Sequence, residues 1–196
     1  HKQFKNLKDT MYKVVIKSTL ENGYLTYGEF FIQGKSNQEI LLSTYICHPS
    51  LCNDNLSGIV LATLLAKYLQ NFKLKYSIRF LFIPETIGAI TWLSKNENKI
   101  TKIKHGLVLT QLGNRGDFIY KKSRMGDAEI DQTVINVLKK TESKFKVLDF
   151  YPWGSDERQY CSPGFNLPVG SLMRSLPYYE NTKEYHTSDD NMEFMS

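Results

Sequence analysis

The stretch Ile40-Leu-Leu-Ser-Thr-Tyr-Ile-Cys-His-Pro-Ser-Leu-Cys-Asn-Asp-Asn-Leu-Ser-Gly58 contains the features that decide the fold. Its first seven residues form a mostly apolar run of strand length, which predicts a buried central strand over 40–46. Apolar residues then recur at helical spacing from Asn55 to Gln70, with Asp54 placed to cap that helix. A buried strand that leads through a polar loop into an amphipathic helix is typical of α/β proteins.

The same alternation continues along the chain. Further apolar strands are predicted over 76–83, 105–112 and 118–121, and helices over 87–96 and 127–140, the second of them started by Asp127. Two strands over 11–16 and 25–32, joined by a turn at Asn22-Gly23, predict an N-terminal hairpin. The expected architecture is a three-layer α/β/α domain over 1–196, with a mixed, mainly parallel central sheet.

Composition excludes several classes of protein. The formal net charge is +5, but the lysines are scattered and no helix-turn-helix, RRM or paired-cysteine finger pattern is present, so no nucleic-acid partner is expected. The longest apolar stretch, 58–69, is broken by Lys67, so no membrane partner is expected. Three cysteines do not form a disulfide framework, which favours a reducing, cytoplasmic location. Cys47 and Cys52 are interpreted as small packing residues that line a site.

Residues capable of metal chemistry follow the predicted strands. Ligands gather at the carboxyl ends of strands in such sheets, where His48 and Asp54 would bring an imidazole and a carboxylate near one point. The alternative is that Asp54 only caps the helix and His48 is a hydrogen-bonded loop residue. Glu85 follows the next strand and is placed to take a proton from water at a metal, although a helix N-terminus also favours a carboxylate. His186 directly precedes 188–190, where a last helix is predicted to open.

Other polar side chains are candidates for binding substrate. Asp156 and Arg158 could bind an amine or a carboxylate, or they could form a surface ion pair. Arg174 is a second candidate for holding an anionic group, because a guanidinium grips a carboxylate with two hydrogen bonds. Aromatic residues in two long loops could stack on sugar rings; they are Tyr151, Trp153, Tyr178 and Tyr179.

The string Asn53-Asp54-Asn55-Leu56-Ser57-Gly58 resembles the Asp-Asp-Asn-Ala-Ser-Gly element of the co-catalytic zinc exopeptidases, which include bacterial leucyl aminopeptidases and glutaminyl cyclases. The resemblance covers roughly residue 40 to the C-terminus and implies a zinc-exopeptidase-like fold. It implies that Asp54 takes the metal-bridging position, that His48 is the upstream ligand and that Glu85 is the general base. His186-Thr187 with Asp190 is similar to the closing His-Thr-x-x-Asp element.

Four strings resemble those of a bacterial aminopeptidase-like family associated with surface-polysaccharide loci. They are Cys-His-Pro-Ser at Cys47, Asn-Asp-Asn-Leu-Ser-Gly at Asn53, Pro-Glu-Thr-Ile-Gly at Pro84 and Gly-Ser-Asp-Glu-Arg-Gln-Tyr at Gly154. In the last string, Glu157 stands where the exopeptidases have a His. Members of this family are longer at both ends, so the resemblance implies that this chain is one domain of a larger protein.

Three departures from the exopeptidase pattern limit the metal site that the resemblance implies. Thr86 replaces a Glu ligand, Gln111 or Asn114 replaces an Asp ligand, and Ser50 replaces the Asp that would orient the first imidazole. A single zinc ion held by His48, Asp54 and His186 is therefore expected rather than two. Alternatively, Glu85 is itself a ligand, which would remove the base and leave a binding site.

The predicted function is zinc-dependent hydrolysis of an amide, most simply an N-terminal peptide bond, in a small-molecule or peptide substrate. The departures also fit a non-catalytic module that binds metal or ligand through a degenerate site. The polysaccharide association and the aromatic loops fit a deacylase that acts on amino-sugar conjugates. A homo-oligomer is compatible with the sequence.

Overall fold

A computed structural model describes residues 5–151, 154–174 and 183–196, which fold around one seven-stranded sheet. The strands are β1 (Gly28–Ile32), β2 (Ser36–Tyr45), β3 (Tyr76–Ile83), β4 (Ile103–Leu109), β5 (Phe118–Lys121), β6 (Phe145–Leu148) and β7 (Val169–Arg174). The helices are α1 (Ser57–Leu69), α2 (Ile87–Lys95), α3 (Glu97–Ile100), α4 (Glu129–Thr141) and α5 (Glu157–Tyr160), and a π-helical turn spans Cys52–Leu56.

The sheet is mixed and mainly parallel, as predicted. Its strand order is β1-β3-β2-β4-β7-β5-β6. The central strand β2 pairs in parallel with β3 and β4, and β4 pairs in parallel with β7. Antiparallel pairing occurs between β1 and β3 and between β5 and β7. The carboxyl ends of β2, β3, β4 and β7 therefore lie at one edge of the sheet, which is where such sheets bind ligands.

Helices cover both faces of the sheet. One apolar cluster contains the fully buried Trp92 of α2, and a second contains Ala62 of α1. Neighbouring residues of β2 alternate between them, since Leu41 joins the first cluster and Leu42 the second. This arrangement confirms the predicted layered α/β architecture.

The predicted N-terminal hairpin is wrong. Only its second half forms a strand, β1, and that strand pairs with β3 through registers such as Glu29↔Leu81. Residues 11–27 form no strand. Val14 and Ile16 remain 80% and 81% exposed. The apolar side chains of the first predicted strand are therefore not buried against the sheet.

Two predicted helix starts and one predicted helix are also wrong. Asp54 caps nothing through its side chain: it lies inside the π-helical turn, and α1 begins at Ser57. Asp127 does not start α4, because the carboxylate of Asp131 accepts the backbone N–H of Ala128 at 3.0 Å and the helix begins at Glu129. Residues 183–196 form turns rather than a helix.

Several elements were not predicted, namely the short helices α3 and α5 and the strand β6. The strand β7 coincides with an apolar stretch of the sequence. Among the helices in the described ranges, none has both the length and the apolar character needed to cross a membrane.

Candidate functional site

The three predicted metal ligands meet at the carboxyl edge of the sheet. His48 follows β2, Asp54 lies in the π-helical turn before α1, and His186 comes from the C-terminal segment. Each offers one ligand atom, and these atoms all lie within 4.8 Å of one another. Nε2 of His186 is 2.9 Å from Oδ2 of Asp54, and the imidazole rings of His48 and His186 are stacked with centroids 5.3 Å apart.

Asp54 is held by partners that sequence reasoning did not identify. The buried hydroxyl of Tyr45 donates to Oδ1 of Asp54 and lies 2.8 Å from the hydroxyl of Thr110. Burial raises the pKa of Tyr45 well above its ordinary value, so this phenol stays protonated and remains a donor. The two oxygens of Asp190 accept the backbone N–H groups of Asn53 and Asp54, at 2.6 and 2.9 Å. The carboxylate of Asp54 is therefore fixed before any metal binds.

The chain around Asp54 fits only a glycine at position 58. The Asp54–Asn55 peptide bond is cis, and the Asn55 side chain donates to the Thr44 hydroxyl at 2.8 Å. A Cβ on Gly58 would lie 2.6 Å from Oδ1 of Asn55 and 2.7 Å from the carbonyl oxygen of Leu109. Glycine is thus required at the end of the motif Asn-Asp-Asn-Leu-Ser-Gly because α1 starts against the end of β4.

Glu85 faces the same site from the end of β3. Burial raises the pKa of this carboxyl, the nearby Ser155 hydroxyl lowers it, and the charge of Asp54 raises it again. A buried carboxyl whose pKa is raised is suited to general acid–base chemistry. Ligand atoms of Cys47, His48 and Glu85 also lie within 4.8 Å of one another, so Glu85 is placed to act as a base or as a ligand.

A cavity of about 270 Å³ opens between Glu85 and the three predicted ligands, of which Asp54 and His186 line it. Thr86, Gln111 and His186 line this cavity and have positive φ angles of 64°, 50° and 54°. Such backbone conformations are unfavourable for residues other than glycine and concentrate at functional sites. The residues with positive φ angles that line the cavity therefore lie at the same edge of the sheet as the predicted ligands and Glu85.

The three predicted substrate-binding residues are placed differently. Arg158 lines the cavity and donates to the hydroxyl of Thr86 at 3.3 Å. Asp156 is fully buried behind it, where Oδ1 accepts the backbone N–H of Thr86 at 2.6 Å and burial raises its pKa to about 8. Arg174 packs on the ring of Phe118 at 4.0 Å and donates to the carbonyl oxygen of Gly116. Of the three, only Arg158 is among the described residues that line the cavity.

The positions that depart from the exopeptidase pattern carry no carboxylate toward the metal ligands. The hydroxyl of Thr86 accepts a hydrogen bond from Arg158, and the amide of Asn114 donates to the carbonyl oxygen of Arg174. The backbone N–H of Gln111 donates to Oδ1 of Asn55, and the side chain of Gln111 lines the cavity. These positions therefore add no carboxylate to the group formed by His48, Asp54 and His186.

A buried ion pair lines the same cavity. Nζ of Lys121 pairs with Oε1 of Glu157, and each side chain is 1% exposed. No local pattern indicated Lys121 as a site residue, because lysine is among the residues least often fully buried. Tyr151 also lines this wall, whereas Trp153, Tyr178 and Tyr179 lie outside the described residues.

Comparison with known proteins gives the family and the relatives of the chain. Residues 9–196 match the family model described as Domain of unknown function (DUF4910). A relative from Clostridium acetobutylicum is 58% identical over 194 residues, which are 99% of this chain and 44% of the relative. That relative is described, provisionally, as a polysaccharide biosynthesis protein with an aminopeptidase-like domain.

Solved structures show the same fold. One is the crystal structure of a protein from Clostridium acetobutylicum that is provisionally assigned as a peptidase. Its sequence is 57% identical to this chain, and the TM-score is 0.90 over 100% of this chain and 46% of that one. A zinc aminopeptidase from Bacillus subtilis is 16% identical, with a TM-score of 0.70 over 87% of this chain and 44% of that one. The second likeness shows the fold alone. The chain spans less than half the length of these relatives.

Proposed function

This chain belongs to the family described as Domain of unknown function (DUF4910), and we propose that it is an aminopeptidase-like hydrolase that uses one zinc ion to cleave an amide bond. The observation that carries the proposal is the meeting of His48, Asp54 and His186 beside a cavity that also contains Glu85. The simplest substrate is a small molecule or peptide with an N-terminal amide bond.

The donor set fits zinc. Two imidazoles and one carboxylate make a three-ligand set typical of catalytic zinc, which leaves one position open. Tyr45 and Asp190 fix Asp54 through its side chain and its backbone, as outer-shell partners of metal ligands do. When bound, zinc would lower the pKa of a coordinated water towards ~7 and polarise the amide carbonyl.

The residues of the chain supply proton transfer and positioning. Glu85 accepts the proton of the attacking water and returns it to the leaving amine, a role that its raised pKa favours. The guanidinium of Arg158 lies at the cavity wall beside Thr86, where it can orient a substrate carbonyl or carboxylate.

Metal content and turnover together test the proposal. We expect about one zinc per chain in the wild type, a loss of zinc in His48→Ala and in His186→Ala, and retention in Glu85→Gln. Hydrolysis of aminoacyl-anilides should fall at least ~100-fold in Glu85→Gln, because a general base contributes 10²–10⁴-fold. The matched controls are Glu97→Gln, an exposed glutamate in α3, and His105→Ala, a histidine in β4.

Two results would contradict this assignment. Absence of bound metal after zinc is added would remove the hydrolytic mechanism. Loss of zinc in Glu85→Gln would instead make Glu85 a ligand, as the Cys47, His48 and Glu85 group allows, and would favour a binding module without turnover. Thr86 stands where the exopeptidases have a Glu ligand, and Gln111 or Asn114 stands where they have an Asp ligand. These residues favour the second candidate.

A third candidate concerns the substrate rather than the site. The relative named for polysaccharide biosynthesis suggests an amide on an amino sugar in place of a peptide bond. An enzyme of this kind should leave aminoacyl-anilides intact but release the acyl group from N-acylated amino sugars, which a coupled assay for the free amine would detect.

A further inference from the structure

Part of the cavity wall is formed by charged and polar residues that the proposed mechanism does not use. We term it the Lys121–Glu157 subsite. It contains Lys121 at the end of β5, Glu157 at the start of α5, and the loop residues Tyr151 and Gly154. Lys121 and Glu157 pair with each other and are each 1% exposed. Burial of an ion pair carries a large desolvation cost, so its position at a cavity wall needs an explanation.

Glu157 retains an unmet capacity to accept hydrogen bonds. Its Oε1 pairs with Lys121, while its Oε2 has no hydrogen-bond partner among the described residues. A buried carboxylate oxygen without a donor is unfavourable, and a ligand that enters the cavity can supply the missing donor. The subsite therefore favours a group that carries O–H or N–H.

The backbone at Gly154 keeps this part of the cavity open. Gly154 has a φ angle of +140°, and a Cβ there would overlap Nζ of Lys121 and lie 2.6 Å from Oε1 of Glu157. Only glycine allows the chain to approach the ion pair this closely. A side chain at this position would occupy the space that a ligand needs.

Charge determines which donor fits. A substrate ammonium that reached Glu157 would also meet the cations Lys121 and Arg158, and a carboxylate that reached Lys121 would meet Glu157 and Glu85. A neutral group that both donates and accepts hydrogen bonds satisfies the pair without adding charge. The Tyr151 ring, whose centroid is 4.2 Å from Nζ of Lys121, adds an aromatic surface for C–H groups.

We infer that the Lys121–Glu157 subsite binds a neutral, hydroxyl-bearing ring, such as a sugar unit of the substrate, next to the amide that is cleaved. The inference rests on the proposed function for placing the cleaved amide at Glu85. The binding itself depends only on the subsite and does not require the metal. Lys121 and Glu157 are then the residues that determine specificity.

Binding of a probe sugar tests the inference. N-acetylglucosamine is titrated into the protein, and its dissociation constant is measured from NMR shift changes, with leucinamide and N-acetylleucine as charged comparison ligands. The double variant Lys121→Met/Glu157→Leu replaces the pair with apolar side chains of similar size, a change that is often neutral for stability. Glu157→Gln keeps the volume and serves as a second variant. Lys122→Met makes the same change at an adjacent, exposed ion pair with Asp149.

We expect the sugar to bind the wild type, Lys122→Met and His48→Ala equally, and to bind the two subsite variants about tenfold more weakly or worse. Retained binding in His48→Ala separates this result from the metal-dependent chemistry. Absence of sugar binding in the wild type, equal binding in the subsite variants, or tighter binding of leucinamide than of the sugar to His48→Ala, in which the metal site is disrupted, would each overturn the inference.

Discussion

Asp190 holds Asp54 by the backbone, with Oδ2 of Asp190 2.9 Å from the amide nitrogen of Asp54 across 136 residues of sequence. Oδ1 of the same carboxylate accepts the N–H of Asn53 at 2.6 Å. One side chain from the C-terminal segment thus fixes the turn that presents a predicted metal ligand. His186 lies in the same segment, so the position of this segment determines two parts of the site at once.

Asp190→Asn should weaken zinc binding while leaving all three predicted ligands in place. An amide has one acceptor oxygen, so one of the two backbone N–H groups loses its partner. Loss of such an outer-shell contact typically lowers metal affinity 10–100-fold, and we expect a decrease of about that size in competition with a chromophoric chelator.

Asp189→Asn is the matched control for this change, because Asp189 is the exposed neighbour. Its zinc affinity should equal that of the wild type. Equal affinity of Asp190→Asn and the wild type would show that the turn keeps its shape without this carboxylate.

Gly58→Ala should destabilise the protein although it places alanine in a helix. Alanine is usually about 1 kcal/mol more favourable than glycine within a helix. Here the added Cβ would lie 2.6 Å from the Thr44 hydroxyl and 2.7 Å from the Leu109 carbonyl oxygen, so α1 must move away from the sheet. We expect a loss of about 1–3 kcal/mol in the free energy of unfolding, measured by urea denaturation.

Gly164→Ala provides the comparison, since a Cβ at that position meets nothing within 4 Å. Its free energy of unfolding should change by less than about 1 kcal/mol. Stabilisation by Gly58→Ala would mean that the start of α1 tolerates the displacement and that the close contacts are not rigid.

Local patterns predicted the parts of this site that depend on neighbouring residues. The apolar runs of β2 and β3 indicate buried parallel strands, and the residues that follow them, His48 and Glu85, reach one edge because parallel strands share that edge. The family motif located Asp54 and His186. These residues were predictable because sequence position alone determines which strand or turn each follows.

The contacts that complete the site come from distant parts of the chain. The partners of Asp54 are Tyr45 and Asp190, and a single sequence gives no measure of which polar residue will pair with which. Lys121 follows Tyr120 at the end of the short strand β5. Nothing in the neighbouring sequence shows that its ammonium will pair with Glu157. The hairpin prediction was wrong for the same reason, because β1 finds its partner in β3, about 50 residues later.

Asp156→Asn should change how stability depends on pH. Burial raises the pKa of Asp156 from 3.8 to about 8, so between these values the folded protein keeps a proton that the unfolded chain has lost. The free energy of unfolding therefore falls as pH rises through this window, by about 1.4 kcal/mol per pH unit for this group, and levels off above it. Asparagine removes this dependence and still accepts the N–H of Thr86.

Urea denaturation of wild type and Asp156→Asn at several pH values between 5 and 9 would measure the difference. The stability of the variant relative to the wild type should increase up to about pH 8 and then remain constant. Asp149→Asn, whose parent side chain is 89% exposed, should run parallel to the wild type. A constant difference between Asp156→Asn and the wild type across the range would show that Asp156 is ionised in the folded protein.

Arg79→Met should be among the more damaging changes away from the site. Arg79 lies in β3, where Nε and Nη2 donate to Glu39 at 2.6 and 3.0 Å and Nη1 donates to Glu29. The Glu39 side chain is 4% exposed, so removal of the guanidinium leaves a buried carboxylate without its cation. Such a break costs about 3–5 kcal/mol. The double variant Arg79→Met/Glu39→Leu removes the guanidinium and the more buried of its two carboxylate partners, and leaves Glu29, whose side chain is 25% exposed. It should recover most of that loss, because apolar side chains of similar volume often replace a buried pair without penalty. If the double variant unfolds at the same urea concentration as Arg79→Met, the loss comes from the contacts of the guanidinium with the rings of Phe31 and Trp92 rather than from the unpaired charge of Glu39.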